Sequence, residues 1–152
     1  TLEEVKAFFF RFYAPNNAIL AVTGNISFEE AVALTRKNAD RFGLKNVQVV
    51  QGMAPEGMEN FPEPTHAFIG GSRGNMAAIL KNLYAKNPSM RVVINAISLE
   101  TLSEIMGCLK TWKVTDLDIT QVQISKAKTL GDYHMMMGQN PVTIVSFQFT
   151  SN

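Results

Sequence analysis

The sequence predicts an α/β fold in which helices cover both faces of one mixed, six-stranded β-sheet. Between residues 18 and 112, short apolar runs alternate with segments whose apolar residues recur every three or four positions. That alternation is typical of strands that are connected by helices. Two further strand-like runs then follow with no helical period between them, so they should pair antiparallel at one edge. The 152 residues are sufficient for a single domain, 1–152.

The first two predicted elements are a helix and a strand. Thr1 and Glu4 have the spacing of a capping box, and apolar residues within 2–13 fall on one face. Pro15 marks the end of this helix. The run "AILAVTG", residues 18–24, suits a short strand that is buried on both faces.

A second capping box starts the next helix. Ser27 and Glu30 have the required spacing, and the helix should run over 28–42 and end before Gly43. "VQVVQG", Val47 to Gly52, is the next predicted strand, and a loop rich in Pro and Gly follows it.

The remaining elements continue the alternation and then end in the antiparallel pair. They are the strand 65–71, the helix 75–87, the strand 90–97, the helix 99–112 capped by Ser98, and the strands 117–127 and 141–149. Core positions predicted for the two helices are Met76, Ile79, Leu80, Leu83, Tyr84, Leu99, Leu102, Ile105, Met106 and Leu109. Residues 128–140 are interpreted as a long, Met-rich connector.

Composition excludes several classes of function. The net charge of +1 gives no basis for binding nucleic acid, and the apolar stretches are too short to span a membrane. A single cysteine, Cys108, allows no internal disulfide, which favours a reducing, cytoplasmic setting. Neither His66 nor His134 belongs to a cluster of metal ligands in the sequence, so no metal site is expected.

Four stretches in order carry a family resemblance. "NADRFGLKNVQVVQGMAPE", "PTHAFIGGSRGN", "VVINAISLETLSEI" and "GDYHMMMGQNPVTIVS" resemble the decarboxylating precorrin methyltransferases of cobalamin biosynthesis. The resemblance covers about residues 28–149 and implies a Rossmann-like fold and S-adenosylmethionine as cofactor. It also implies methylation of a corrin precursor together with removal of its acetate carboxyl group.

The part before residue 28 differs from that family. The glycine-rich turn that the family uses for the cofactor is absent, and "AILAVTGN" ends in Gly24 and Asn25 instead of an acid for the ribose hydroxyls. Residues 1–27 are similar to a helix-strand unit of the insulinase-type (pitrilysin) zinc metallopeptidases, although the H-x-x-E-H motif is missing. The sequence is therefore interpreted as a chimera of segments 1–27 and 28–149.

The proposed joint determines the predicted sheet order. With the family's first strand absent, the strand 18–24 should close against the strand 65–71, because unpaired interior backbone is costly. The predicted order is 2-1-3-4-6-5, of which the first four strands match a flavodoxin-like sheet. A three-layer Rossmann-like/flavodoxin-like sandwich results, with the helix 2–13 on the same face as the helix 28–42. The alternative is a partner chain that fills the gap by domain swapping.

Two groups of candidate site residues follow from the resemblance. Gly52 and Ala54, around Met53, and Gly70 and Gly71, before Ser72, match the loops that line the family's cofactor. Such glycines can also serve only as tight exits from strands. The residues that match the region near the family's corrin substrate are Tyr133, His134, Gln139 and Asn140.

Three functions remain open at this stage. The first is a folded chimera, natural or engineered, without catalytic activity or cofactor, in which these residues are vestigial. The second is an S-adenosylmethionine-dependent precorrin methyltransferase with a remodelled cofactor site. The third is an oligomeric interaction module that presents the Met-rich connector or an edge strand, which includes a homo-oligomer.

Overall fold

The computed structural model describes residues 18–21 and 27–150 of the chain. The helices within these ranges are α1 (Phe28–Arg41), α2 (Met76–Lys86) and α3 (Leu99–Thr111). The strands are β1 (Ala18–Ala21), β2 (His66–Ile69), β3 (Arg91–Ala96), β4 (Val114–Val122), β5 (Ser125–Leu130), β6 (Tyr133–Gly138) and β7 (Val142–Phe149). The predicted helix 2–13, its capping box and Gly24 and Asn25 lie outside the described residues.

Five of these strands form one mixed sheet in the order β1-β2-β3-β7-β4. β1, β2 and β3 are parallel, and β7 is antiparallel to both β3 and β4. The antiparallel C-terminal pair predicted from the sequence is thus confirmed. Because β1 is hydrogen-bonded directly to β2, the gap that motivated the domain-swapped alternative is not present.

The core lies on one face of this sheet. Strand side chains alternate between faces, and the register places Ala67 beside Val92 and Val92 beside Phe147. All three are buried, and α2 and α3 pack on this face. The larger buried side chains are Met76, Leu80, Leu83, Met90, Val92, Ile94, Ile105, Val145, Phe147 and Phe149. Each such side chain contributes about 1.5–3 kcal/mol by leaving water.

Most of the predicted helical core positions are correct. The buried residues of α2 are Met76, Ile79, Leu80 and Leu83, all four as predicted. In α3, Ile105 is buried as predicted. Met106, which is 38% exposed, is a wrong prediction, and so is Leu99, whose side chain is 80% exposed. Leu99 is the first residue of α3 and follows directly after Ser98, which caps the helix, so it lies beyond the buried part of the sheet.

The helix α1 has the predicted start and end but buries no side chain. The Ser27 hydroxyl accepts from the Glu30 amide at 3.2 Å, and the Glu30 carboxylate accepts from the Ser27 amide at 3.2 Å. Gly43 ends the helix with a φ of +68°. Among the described residues the core lies on one face of the sheet, and the predicted layer on the other face depends on the helix 2–13, which lies outside them.

The strand predicted at Val47 to Gly52 does not form, so the sheet is not six-stranded. A Cβ at Gly52 would lie 3.1 Å from the Glu56 carbonyl oxygen, and Gly57 has a φ of +79°. The chain therefore reverses in a tight turn that leads to the buried Met58. A strand needs a neighbour along its length for its backbone groups, and this turn directs the segment into the core cluster instead.

The predicted connector 128–140 is also wrong, because it contains most of a β-hairpin. β5 and β6 pair antiparallel as a separate two-stranded sheet, with Leu130 opposite Tyr133. The turn between them is Gly131-Asp132, with a φ of +61° at Gly131. Gly-Asp between two extended runs is a hairpin signal that the Met-rich composition obscured.

Candidate functional site

The carboxyl ends of the parallel strands β2 and β3 define the candidate site. In open α/β sheets, ligands bind beyond this edge. β7 runs the other way and begins here, since Thr143 lies opposite Ala96 at the end of β3. The edge therefore collects the loop 70–75 after β2, the start of α3 after β3, and the segment 139–141 before β7.

The loop 70–75 turns sharply before α2. The Asn75 amide donates to the Ser72 carbonyl at 3.0 Å, and Arg73 and Gly74, between them, have φ values of +50° and +84°. Two successive left-handed residues form a turn of the mirror-image type. Arg73 in this conformation costs roughly 1–2 kcal/mol, so the surrounding contacts must hold the loop in place.

One such contact is the carboxylate of Glu104, on α3. Its Oε1 accepts a hydrogen bond from the Met76 amide at 2.9 Å, and its Oε2 accepts from the Ser72 hydroxyl at 3.3 Å. Ser72 is buried and Met76 is fully buried. Sequence reasoning missed both Ser72 and Glu104 as partners, because no periodicity links residues that are 28 and 32 positions apart.

The two glycines of the loop leave its start open to solvent. Gly70 is exposed and Gly71 is half-buried. A Cβ on Gly70 would make only an ordinary contact of 3.7 Å with the Phe68 ring. A ligand can therefore approach this backbone closely.

The other predicted cofactor residues lie in the turn that replaces the expected strand. Gly52 is exposed, whereas Ala54 is half-buried against the core cluster. The chain that follows leads to the far end of α2, where the Lys86 ammonium donates to the carbonyls of Glu59 and Phe61, each at 3.0 Å. The structure thus places Gly70 and Gly71 at the carboxyl edge of the parallel strands and Gly52 in a separate turn.

The four predicted substrate residues are divided between the two ends of the hairpin. Gln139 and Asn140 lie at its base, where the Gln139 amide donates to the Ile124 carbonyl at 2.8 Å. Tyr133 and His134 lie at its tip and are exposed. Five residues of strand, at about 3.4 Å each, separate the tip from the base by about 17 Å. One substrate molecule at the sheet edge can reach Gln139 and Asn140 more readily than the tip.

The described residues, 18–21 and 27–150, offer neither a cluster of metal ligands nor a membrane-spanning helix. Within these ranges there is no group of three or more His, Cys, Asp or Glu side chains that could hold a metal ion. In the same part of the chain, no helix is long and apolar enough to cross a membrane.

Comparison with known proteins identifies one family. A family model described as the precorrin methyltransferase domain matches residues 13–149. A protein of Methanothermobacter thermautotrophicus is 36% identical over 118 residues, which are 76% of this chain and 61% of that protein. A protein of Methanococcus vannielii is 34% identical over 128 residues, 84% of this chain and 67% of that protein. Both are named "Probable cobalt-precorrin-6B C(15)-methyltransferase (decarboxylating)".

A solved structure agrees with the sequence comparisons. The precorrin-6y C5,15-methyltransferase of Geobacter metallireducens GS-15 is similar with a TM-score of 0.65 and 29% identity, over 81% of this chain and 65% of that one. The chain spans 61% and 67% of the lengths of the two archaeal relatives.

These findings show that the interpretation of the chain as a chimera is wrong. The matching family model begins at residue 13 and continues through residue 149, so it crosses the predicted joint after residue 27 without interruption. Nothing supports a peptidase-like segment. The inference of an inactive fusion is also wrong, because the relatives are named as decarboxylating methyltransferases. Four matching motifs in order indicate the family more strongly than the absence of one glycine motif argues against it.

Proposed function

Because the chain belongs to the precorrin methyltransferase family, we propose that it acts in the S-adenosylmethionine-dependent methylation and decarboxylation of a corrin precursor. The observation that carries the proposal is the convergence at one sheet edge of the loop 70–75 and the segment 139–141. These are the segments for which the resemblance implies cofactor and substrate contacts, respectively.

The residues that are present fit one wall of a cofactor site. Gly70 is exposed, and the space where its Cβ would stand is limited only by ordinary contact with Phe68. The backbone can therefore approach a nucleoside or amino-acid group without a side chain between them. When bound, S-adenosylmethionine supplies an activated methyl group. Gly70 and Gly71 would hold it at this edge, with Gly52 and Ala54 as further proposed contacts.

On the substrate side, we place Gln139 and Asn140 beside the corrin precursor. Their amide groups can donate to the carboxylates of such a substrate, and the segment is anchored through the Gln139 amide. Tyr133 and His134 remain proposed substrate residues, but their place at the hairpin tip suits contact with a molecule held by a second copy of the chain.

Binding of the cofactor product is the direct test of the proposal. Calorimetric titration of the full chain with S-adenosylhomocysteine should give saturable 1:1 binding, and mixing with S-adenosylmethionine and a cobalt-precorrin should release carbon dioxide as the methyl group is transferred. Gly70→Val should weaken binding by about tenfold or more, because it places branched carbons where the ligand would lie. Gly107→Ala, in a helix position with open space around it, is the matched control.

The outcomes are separable. If Gly70→Val and Gly107→Ala bind S-adenosylhomocysteine as the unmodified chain does, the loop 70–75 is not part of the site. If the unmodified chain does not bind it at all, the proposed function is wrong for this chain.

A further inference from the structure

The Glu104 carboxylate connects α3 to both ends of the turn that precedes α2. Oε2 accepts from the Ser72 hydroxyl before the turn, and Oε1 accepts from the Met76 amide after it. Arg73 and Gly74, the two left-handed residues, lie between these anchors. A single side chain from another helix thus fixes the span of a strained loop.

The loop does not hold itself by the usual local means. The residue before α2, Asn75, makes no side-chain hydrogen bond to the helix, although this is the position where a capping side chain is preferred. The Met76 amide is one of the donors that a helix start leaves without an intrahelical partner. Glu104 satisfies it from a distance, and its negative charge lies at the positive end of the helix dipole.

We propose that Glu104 is a positioning residue for the methyl-donor site, acting through Ser72 and Met76 to fix the backbone of Gly70 and Gly71. The inference rests on the proposed function, since it assumes that these glycines line the cofactor. Glu104 itself is half-buried, and its two carboxylate oxygens accept from Ser72 and Met76, so in this proposal it acts on the ligand only through the loop. Because Glu104 already orders the loop in the free protein, cofactor binding does not incur the entropic cost of ordering it.

Three variants separate this role from a general loss of stability. Glu104→Ala removes both hydrogen bonds. Glu104→Gln can keep both, because its amide oxygen accepts from the Met76 N–H and its amide nitrogen donates to the Ser72 hydroxyl. Lys110→Ala is the matched control, since Lys110 is an exposed charged residue on the last turn of the same helix, at the end away from the candidate site.

Two quantities should be measured on each full-length variant. The first is the hydrogen-exchange rate of the Met76 amide, which reports the hydrogen bond without any ligand. The second is the Kd for S-adenosylhomocysteine. In Glu104→Ala we expect the amide to exchange about tenfold faster and the Kd to rise about tenfold, the scale of one hydrogen bond to a charged group. Glu104→Gln should restore most of both, and Lys110→Ala should change neither.

Each result decides a specific point. Unchanged Met76 exchange in Glu104→Ala overturns the anchoring, and faster exchange with an unchanged Kd overturns the positioning role. Equal loss of affinity in Lys110→Ala also overturns it, because the effect would then come from the stability of α3. If the unmodified chain fails to bind S-adenosylhomocysteine, the proposed function fails and this inference with it, whereas the other results leave that function standing.

Discussion

Cys108 shows how one residue can combine packing with a measurable pH effect. Its side chain is buried on α3, one helical turn after Glu104. Burial, and secondarily the charge of Glu104, raise the pKa of the thiol above its ordinary value of 9.0. Both causes disfavour the thiolate, so at neutral pH this cysteine behaves as a small apolar core residue.

We predict that Cys108 makes the protein less stable in alkali. A thiol whose pKa is higher in the folded than in the unfolded chain contributes its full stability below about pH 9, and this contribution is lost as the pH rises through the folded pKa. The free energy of unfolding from urea titrations should therefore fall between pH 8 and 10 more steeply in the unmodified chain than in Cys108→Ala.

The comparison of slopes isolates this group, because the two proteins differ only at residue 108. Parallel slopes would mean that the thiol ionises equally in both states. A thiol-labelling reagent at pH 7.5 provides an independent check, since a buried protonated thiol should react far more slowly than the same thiol in denaturant.

At the scale of elements, the two serine-capped helices differ in how strongly they are joined to the core. Ser27 begins α1, which buries no side chain. Ser98 begins α3, and its hydroxyl accepts from the Thr101 amide at 3.2 Å. Because α3 contributes Ile105 and Cys108 to the core, loss of its capping serine should lower the stability of the whole protein. Loss of the capping serine of α1 should affect that helix alone.

We expect Ser98→Ala to lower the global free energy of unfolding by about 1 kcal/mol, which in a chain of this size lowers Tm by about 2–4 °C. Ser27→Ala should lower the stability of α1 by a similar free energy, without lowering that of the rest of the protein. Its effect should be seen as faster amide exchange at residues 29–32, while Tm changes by less than about 1 °C. Thermal unfolding and hydrogen exchange on both variants test this, and an equal fall in Tm would show that α1 is part of the cooperative core.

The sequence was informative where local patterns decide the structure. Capping boxes and apolar periodicity located α1, α2 and α3 to within one residue or so, because those signals lie within the helix itself. The strand at Val47 to Gly52 could not be decided in this way. Its alternating valines suit a strand, but the backbone approach between Gly52 and Glu56 is a tertiary feature that directs the chain into a turn.

At the scale of the whole molecule, prediction of the site was limited by distance along the chain. Gly70 and Gly71 were predicted because a resemblance marked them, and they follow β2 at the carboxyl edge of the parallel strands. Glu104 was not found, since its partners are fixed only when α3 packs beside the loop 70–75. Gln139 and Tyr133 were predicted as one site, but β6 separates them, so they lie at opposite ends of the hairpin.

The hairpin also bears on the expectation of a homo-oligomer. Every residue of β5 and β6 is exposed, including Tyr133 at 77% and Met136 at 66%. An isolated two-stranded hairpin is marginally stable in water, and large exposed apolar patches often mark sites of protein contact. We propose that a second copy of the chain covers this surface.

Paired substitutions on one hairpin face test this proposal without destroying the hairpin. Met135 and Met137 lie directly opposite Lys128 and Lys126, so Met135→Glu with Met137→Glu removes apolar surface while creating opposite-charge pairs worth about 0.2–1 kcal/mol each. Sedimentation should show the unmodified chain at a multiple of 16.8 kDa and the double variant as a monomer.

Leu34→Glu with Phe42→Glu, which removes exposed apolar side chains elsewhere, should leave the assembly intact. A monomeric unmodified chain at high micromolar concentration would contradict the proposal, and the hairpin would then have to be stable alone.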